Sequence, residues 1–160
     1  MGETAPTAGL RFLFRTDQGT IGRRDWWRGV AMLAGVLVAL SVGWHFLAPY
    51  ANRGLDERKL IDAMTIITFL YLMIFAFAVM LIAVCFVSLT AKRLRARGRP
   101  TGLAGLLPFA ALIAGAAHWL QPRVAESMPW AIVAACDVAL IVVALWCIID
   151  LGALEKPAAD

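Results

Sequence analysis

Four long apolar runs, almost free of charge, constrain what this chain can fold into. They cover residues 29–50, 63–91, 103–120 and 130–149, and the last run holds a single charged residue, Asp137. A helix of about 20 apolar residues crosses the hydrocarbon core of a bilayer, so each run is long enough to span it. We therefore predict an all-α membrane protein with four transmembrane helices, at about residues 30–49, 63–91, 103–120 and 130–150.

The composition excludes several other classes of protein. Hydrophobic residues make up 61% of the chain and charged residues 16%, and a soluble domain of this length cannot bury that much apolar surface. The three cysteines all lie inside apolar runs, without the spacing of a disulfide framework or of a metal site. The net charge is +4, but the basic residues flank the runs and form no continuous basic face. We therefore expect no nucleic-acid partner.

Lysine and arginine are distributed unevenly over the segments that flank the runs. The N-terminal flank, the connection at residues 92–99 and the tail hold 5, 5 and 1 of them, whereas the other two connections together hold 4. Because these residues are retained in the cytoplasm, we predict that both termini lie inside. The expected organisation is a cytoplasmic, interfacial N-terminal segment (1–28), a four-helix transmembrane domain (29–154) and a cytoplasmic tail (155–160).

Three local features carry expectations of their own. The second run would form a helix of about 43 Å, against a hydrocarbon core of about 30 Å, so its basic end is expected to project from the membrane as a stalk. Pro108 predicts a kink in the third span. Trp26 and Trp27 precede the first span, where an aromatic belt at the inner headgroups is expected.

Two stretches of the chain resemble a known family. One is residues 22–27, Gly-Arg-Arg-Asp-Trp-Trp, just before the first span; the other is residues 91–100, which lead into Leu-Leu-Pro at residues 106–108. They resemble the corresponding motifs of the bacterial inner-membrane family called domain of unknown function 805. The resemblance implies a small multi-pass protein of the bacterial cytoplasmic (inner) membrane. Where that family has a His-Asp pair, this chain has Arg95 and Ala96, so any chemistry of the pair would be absent here.

A basic cluster is the strongest local feature of the sequence. It consists of five residues within eight positions, Lys92, Arg93, Arg95, Arg97 and Arg99. Together with Arg23 and Arg24, it is a candidate for binding the headgroups of anionic lipids, with cardiolipin and phosphatidylglycerol as the expected lipids, or a membrane-protein partner. The other interpretation is that these residues only anchor the topology.

Three ionisable residues lie inside the predicted spans, Asp137, His118 and His45. An unpaired carboxylate at that depth costs several kcal/mol, so we expect Asp137 to contact one of the two histidines as a structural polar latch. The alternative is a proton or cation relay. The spacing of the three residues does not predict a zinc site.

A stripe of small residues marks the first span, at Ala31, Gly35, Ala39 and Gly43. Small residues at every fourth position let a neighbouring helix approach closely, so we expect this stripe to be a packing face. The chain contains no catalytic or nucleotide-binding motif in its required setting, and we expect neither an enzyme nor a cofactor or metal.

The sequence therefore favours a non-enzymatic component of the inner membrane that binds lipid or a partner. The alternative is a small transporter or ion channel that oligomerises and uses Asp137.

Overall fold

The computed structural model describes residues 9–14, 18–51, 63–124 and 128–154. In these ranges all regular secondary structure is helical, and it comprises α1 (Leu10–Phe14), α2 (Arg23–Ala51), α3 (Ala63–Ala96), α4 (Leu106–Leu120) and α5 (Trp130–Trp146). Short 3-10 helices at Thr101–Gly105 and Gln121–Arg123 precede and follow α4. A π-helical segment at Cys147–Ala153 continues α5.

Four helical segments are long and apolar enough to cross a membrane. They are Arg23–Ala51, Ala63–Ala96, Thr101–Arg123 and Trp130–Ala153, and each contains one of the four predicted spans. The expected all-α chain with four helices of spanning length is confirmed. Which side each end faces stays a prediction, and most of the N-terminal ten residues, residues 52–62, 125–127 and the tail lie outside the described residues.

The chain divides into two compact units. The terminal unit combines residues 1–29 and 86–160, whereas the central unit covers residues 30–85. The terminal unit therefore holds the start of α2, the end of α3, and all of α4 and α5. The central unit holds the remaining parts of α2 and α3.

The basic end of α3 forms part of the core of the terminal unit. Residues 89–94 are all buried there, and Leu89 and Leu94 are fully enclosed. A close approach by α2 contributes to this packing, since a Cβ atom built on Gly29 would lie 2.7 Å from the Leu89 side chain. As expected, α3 is longer than a bilayer core requires, since it continues to Ala96, and its last turns pack against other parts of the terminal unit. Whether this end projects from the membrane stays a prediction.

Two further local expectations concern Pro108 and Trp26. Pro108 lies in the first turn of α4, just after the 3-10 helix, where a proline interrupts no helical hydrogen bond; a kink of the span there stays a prediction. Trp26 is only 2% exposed, and its ring packs edge-on against Trp27 at 5.1 Å between centroids. Trp26 is therefore a core residue of the terminal unit, whereas Trp27 remains exposed.

In the central unit, α2 and α3 meet where Tyr71 reaches a main-chain carbonyl. The Tyr71 hydroxyl donates a hydrogen bond of 2.7 Å to the carbonyl oxygen of Leu40. A Cβ atom on Gly43 would lie 2.9 Å from Cζ of that ring, whereas one on Gly35 would meet no atom within 4 Å in the described chain. Of the predicted packing stripe, the structure thus places Gly43 in close contact.

The other three members of the stripe, Ala31, Gly35 and Ala39, are exposed within the described chain. Whether these three pack against another helix stays a prediction. In the described part of the central unit, α2 and α3 come close at Gly43, where the Tyr71 ring reaches α2.

Candidate functional site at the basic end of the terminal unit

The basic cluster begins on α3 and continues through the tight turn that ends this helix. The amides of Arg97 and Arg99 donate to the carbonyl oxygen of Leu94 at 3.0 and 2.9 Å, and that of Gly98 donates to Arg95 at 3.0 Å. Gly98 has a φ of 69°, the left-handed conformation that favours glycine just after a helix. Arg97 and Arg99 lie on either side of Gly98 in this turn, and both reach Asp150.

Two of these cations share one buried carboxylate. Asp150 Oδ1 lies 3.2 Å from Arg97 Nη2 and 3.6 Å from Arg99 Nη2, and the side chains of Asp150, Arg97 and Arg99 are 7%, 6% and 55% exposed. Asp150 Oδ2 is also buried, and it accepts no hydrogen bond from the described residues. Arg97 is therefore the enclosed partner of Asp150, and Arg99 is the partner at the surface.

The end of α5 receives hydrogen bonds from side chains of distant segments. The last carbonyl groups of a helix have no partner within the helix, and cations are favourable near them. Here they accept from four side chains that we call the α5 clamp, namely Arg23, Trp27, Arg93 and Arg97. The clamp covers the main-chain oxygens of residues 151–154, at distances of 2.7–3.3 Å. The clamp therefore supplies hydrogen-bond donors to the main-chain oxygens at the end of the π-helical segment.

Arg93 makes the most enclosed contacts of the α5 clamp. Its Nε donates to the Leu151 carbonyl oxygen at 3.0 Å and its Nη2 to that of Leu154 at 3.1 Å. Arg97 Nη1 donates to the same Leu154 oxygen at 2.7 Å. Arg97 thus binds both the main chain and the carboxylate of this segment, and this explains how one buried guanidinium is stabilised.

Lys92 ties the N-terminal segment to the same unit. Its side chain is fully buried, and Nζ donates to the carbonyl oxygens of Phe12 and Leu13 at the end of α1, at 2.8 Å for Leu13. The Phe12 ring centroid lies 5.1 Å from Nζ, and Leu13 is fully buried. Arg95 Nη1 donates to the Gly19 carbonyl oxygen at 3.1 Å. The described part of the N-terminal segment therefore packs on protein, while its predicted contact with the membrane stays a prediction.

The structure separates the basic residues of this end into two groups. Lys92, Arg93 and Arg97 face inward and bind main-chain oxygens or Asp150. Four exposed arginines lie outside the α5 clamp, and we call them the outward arginines: Arg24, Arg28, Arg95 and Arg99. Two of them also contact the protein, since Arg95 donates to Gly19 and Arg99 lies near Asp150. Arg23 is also exposed, and it contributes to the α5 clamp through Ala153.

Asp150 is the residue of this site that the sequence analysis does not single out. The signal was present in the sequence: an acidic residue at the end of the last apolar run, at the level where the topology prediction places the basic connection. Opposite charges at the same depth are expected to pair.

The predicted intramembrane contact of Asp137 is formed with His118. His118 Nε2 lies 3.0 Å from Oδ1 and 3.1 Å from Oδ2 of Asp137, linking α4 to α5, and the Trp130 ring packs edge-on at 6.2 Å from the imidazole. Both partners are partly exposed, at 51% and 40%. His45 lies in the central unit, where its ring packs edge-on against Phe46.

Within the described residues, no group of three or more histidine, cysteine, aspartate or glutamate side chains is arranged to hold a metal ion. The site therefore consists of guanidinium and ammonium groups around one carboxylate and several main-chain oxygens. Such an arrangement stabilises helix ends, and at its exposed rim it attracts anions.

Comparison with protein-family models, with curated proteins and with solved structures finds no match to this chain. The resemblance to domain of unknown function 805 stays a prediction.

Proposed function

We propose that this chain is a non-enzymatic, multi-pass component of the bacterial inner membrane that binds anionic phospholipid through its outward arginines. The observation that carries the proposal is the division of the basic residues. The inward group binds the protein itself, whereas Arg24, Arg28, Arg95 and Arg99 have exposed side chains that can reach an anionic surface.

The positions of the outward arginines support a lipid ligand. Arg95 lies in the last turn of α3 and Arg99 in the connection of residues 97–100 before the next candidate span. Arg24 and Arg28 lie in the first two turns of α2. Cations at the ends of membrane helices are at the depth of the headgroup phosphates, where each contributes about 1 kcal/mol of attraction to an anionic surface.

Native mass spectrometry on the full chain in an uncharged detergent tests this proposal. We expect the protein to retain phosphatidylglycerol and cardiolipin in preference to phosphatidylcholine, and to lose this preference as salt rises, because screening weakens exposed charges. A variant with Gln at all four outward arginines should lose the preference while retaining a cooperative melting transition. Equal retention of the three lipids by the unaltered protein would refute the proposal.

A membrane-protein partner is the other candidate ligand of the same surface. Copurification after mild detergent extraction distinguishes it from lipid. A stoichiometric protein that is lost from the four-arginine variant would replace lipid as the ligand.

The cytoplasmic location of this surface is part of the proposal and rests on the uneven distribution of lysine and arginine. A reporter that is active only in the periplasm should give signal when fused after Arg53 or Arg123, and none when fused after Arg97 or at the C-terminus. A signal from the Arg97 fusion would contradict the proposed orientation.

The second candidate function is an oligomeric transporter or channel that uses Asp137. The observation in its favour is the partly exposed pair of Asp137 and His118 on two candidate spans, because ionisable groups within spans often mark ion pathways. Vesicles containing the protein and a pH-sensitive dye test it. A proton flux across pH 5 to 8 that Asp137→Asn abolishes would support this alternative, and no flux from the unaltered protein would eliminate proton transport.

A further inference from the structure

Arg99 is held at Asp150 more weakly than Arg97, the other cation that contacts this carboxylate. Its guanidinium lies 3.6 Å from Asp150 Oδ1, and more than half of its side chain is exposed. An ion pair of that length with an exposed partner contributes little to stability. Arg97, at 3.2 Å and almost fully enclosed, would neutralise the carboxylate without Arg99.

The position of Arg99 places a second anion within its reach. It lies in the connection between the candidate spans Ala63–Ala96 and Thr101–Arg123, so lipid headgroups are its neighbours if these spans cross the bilayer. A guanidinium binds a phosphate through two parallel hydrogen bonds. Arg99 and Arg97 contact the same oxygen of Asp150. A phosphate would instead give Arg99 two oxygens that it need not share with Arg97.

We infer that Arg99 exchanges between Asp150 and the headgroup phosphate of an anionic phospholipid, while Arg97 stays on Asp150. This inference rests on the proposed function, because it names the residue that binds the lipid and the carboxylate that competes with it. By linkage, whatever removes the competing carboxylate strengthens lipid binding. The end of α5, which carries Asp150, is thereby coupled to the lipid surface.

The test is a titration of the full chain in uncharged detergent with phosphatidylglycerol, followed by native mass spectrometry. Arg99→Gln should weaken binding about fivefold, the loss expected for one cation near an anionic surface. The affinity of Arg99→Lys for phosphatidylglycerol should lie between those of the unaltered protein and of Arg99→Gln, because lysine keeps the charge but loses the paired hydrogen bonds. The charge-matched control is Arg123→Gln, whose guanidinium stacks on Trp119 at 3.9 Å, and we expect a change of less than twofold.

Asp150→Asn tests the competition itself. If this variant retains a cooperative melting transition, it should bind phosphatidylglycerol more tightly than the unaltered protein; binding that is unchanged or weaker would overturn the exchange. Excess glycerol phosphate should leave the lipid bound, and full displacement would overturn the assignment to a headgroup held in the membrane.

The outcomes separate the two proposals. If the unaltered protein prefers phosphatidylglycerol over phosphatidylcholine but Arg99→Gln binds it equally well, the inference about Arg99 fails and the proposed function stands. If the unaltered protein shows no preference, the proposed function fails.

Discussion

Asp150→Asn is expected to destabilise the protein strongly, because it removes the charge that balances an enclosed guanidinium. Breaking a buried ion pair by removing one partner costs about 3 to 5 kcal/mol. Arg97 keeps its hydrogen bond of 2.7 Å to the Leu154 carbonyl oxygen, so we expect the lower end, about 3 kcal/mol. For a chain of this size, that corresponds to a fall in melting temperature of about 6 to 12 °C.

The matched control is the other carboxylate of the same helical segment. Asp137 is 40% exposed and pairs with a histidine that is itself half-exposed, so Asp137→Asn should cost about 1 kcal/mol or less. Both variants are compared by thermal unfolding in the same detergent. The double variant Arg97→Gln, Asp150→Asn should recover part of the loss, since it leaves no uncompensated charge. Equal shifts for Asp137→Asn and Asp150→Asn would refute this account of Asp150.

Three further predictions concern packing and capping. Gly43→Val should lower the melting temperature because its side chain would overlap a tyrosine ring, whereas Gly35→Val, at an open position on the same helix, should change it little; similar shifts would contradict the contact seen in the central unit. Gly152→Ala should also destabilise, since its Cβ atom would lie 2.7 Å from an indole ring, and an unchanged melting temperature would contradict this packing. Lys92→Met keeps most of the buried volume but removes the bonds to α1, so limited proteolysis should cut near α1 faster than in the unaltered protein; equal rates would show that Lys92 does not hold the segment.

The four long helices were predictable because a span leaves a strong local signal, about 20 apolar residues with few charges. Their ends were less predictable. The first of the four, α2, begins at Arg23, well before the apolar run. Asp25 lies in its first turn, where a carboxylate stabilises the positive end of the helix dipole. The next, α3, continues to Ala96, because the charged residues of its last turns form hydrogen bonds within the terminal unit.

The pairing within the candidate site was not predictable from local patterns. Arg97 and Asp150 are separated by more than 50 positions, and Arg23 reaches the carbonyl of Ala153, 130 positions away. Hydropathy and charge counts show that cations lie at the ends of spans, but not which of them turn inward. The contact of Asp137 with a histidine was expected, since few polar partners exist at that depth, but the choice of His118 depends on the packing of α4 against α5.

The α5 clamp has a consequence for the order in which the chain folds. Ribosomes make the N-terminal end first, at about 5 to 20 residues per second, so Arg93 and Arg97 emerge several seconds before residues 151–154, the carbonyls they will bind. Until then these cations are uncompensated and strongly hydrated, the condition in which arginine resists transfer across a membrane. In the predicted orientation, the same side chains first keep this connection in the cytoplasm and later close the finished protein. A chain truncated before α5 would keep its hydrated arginines and lack the last step of its assembly.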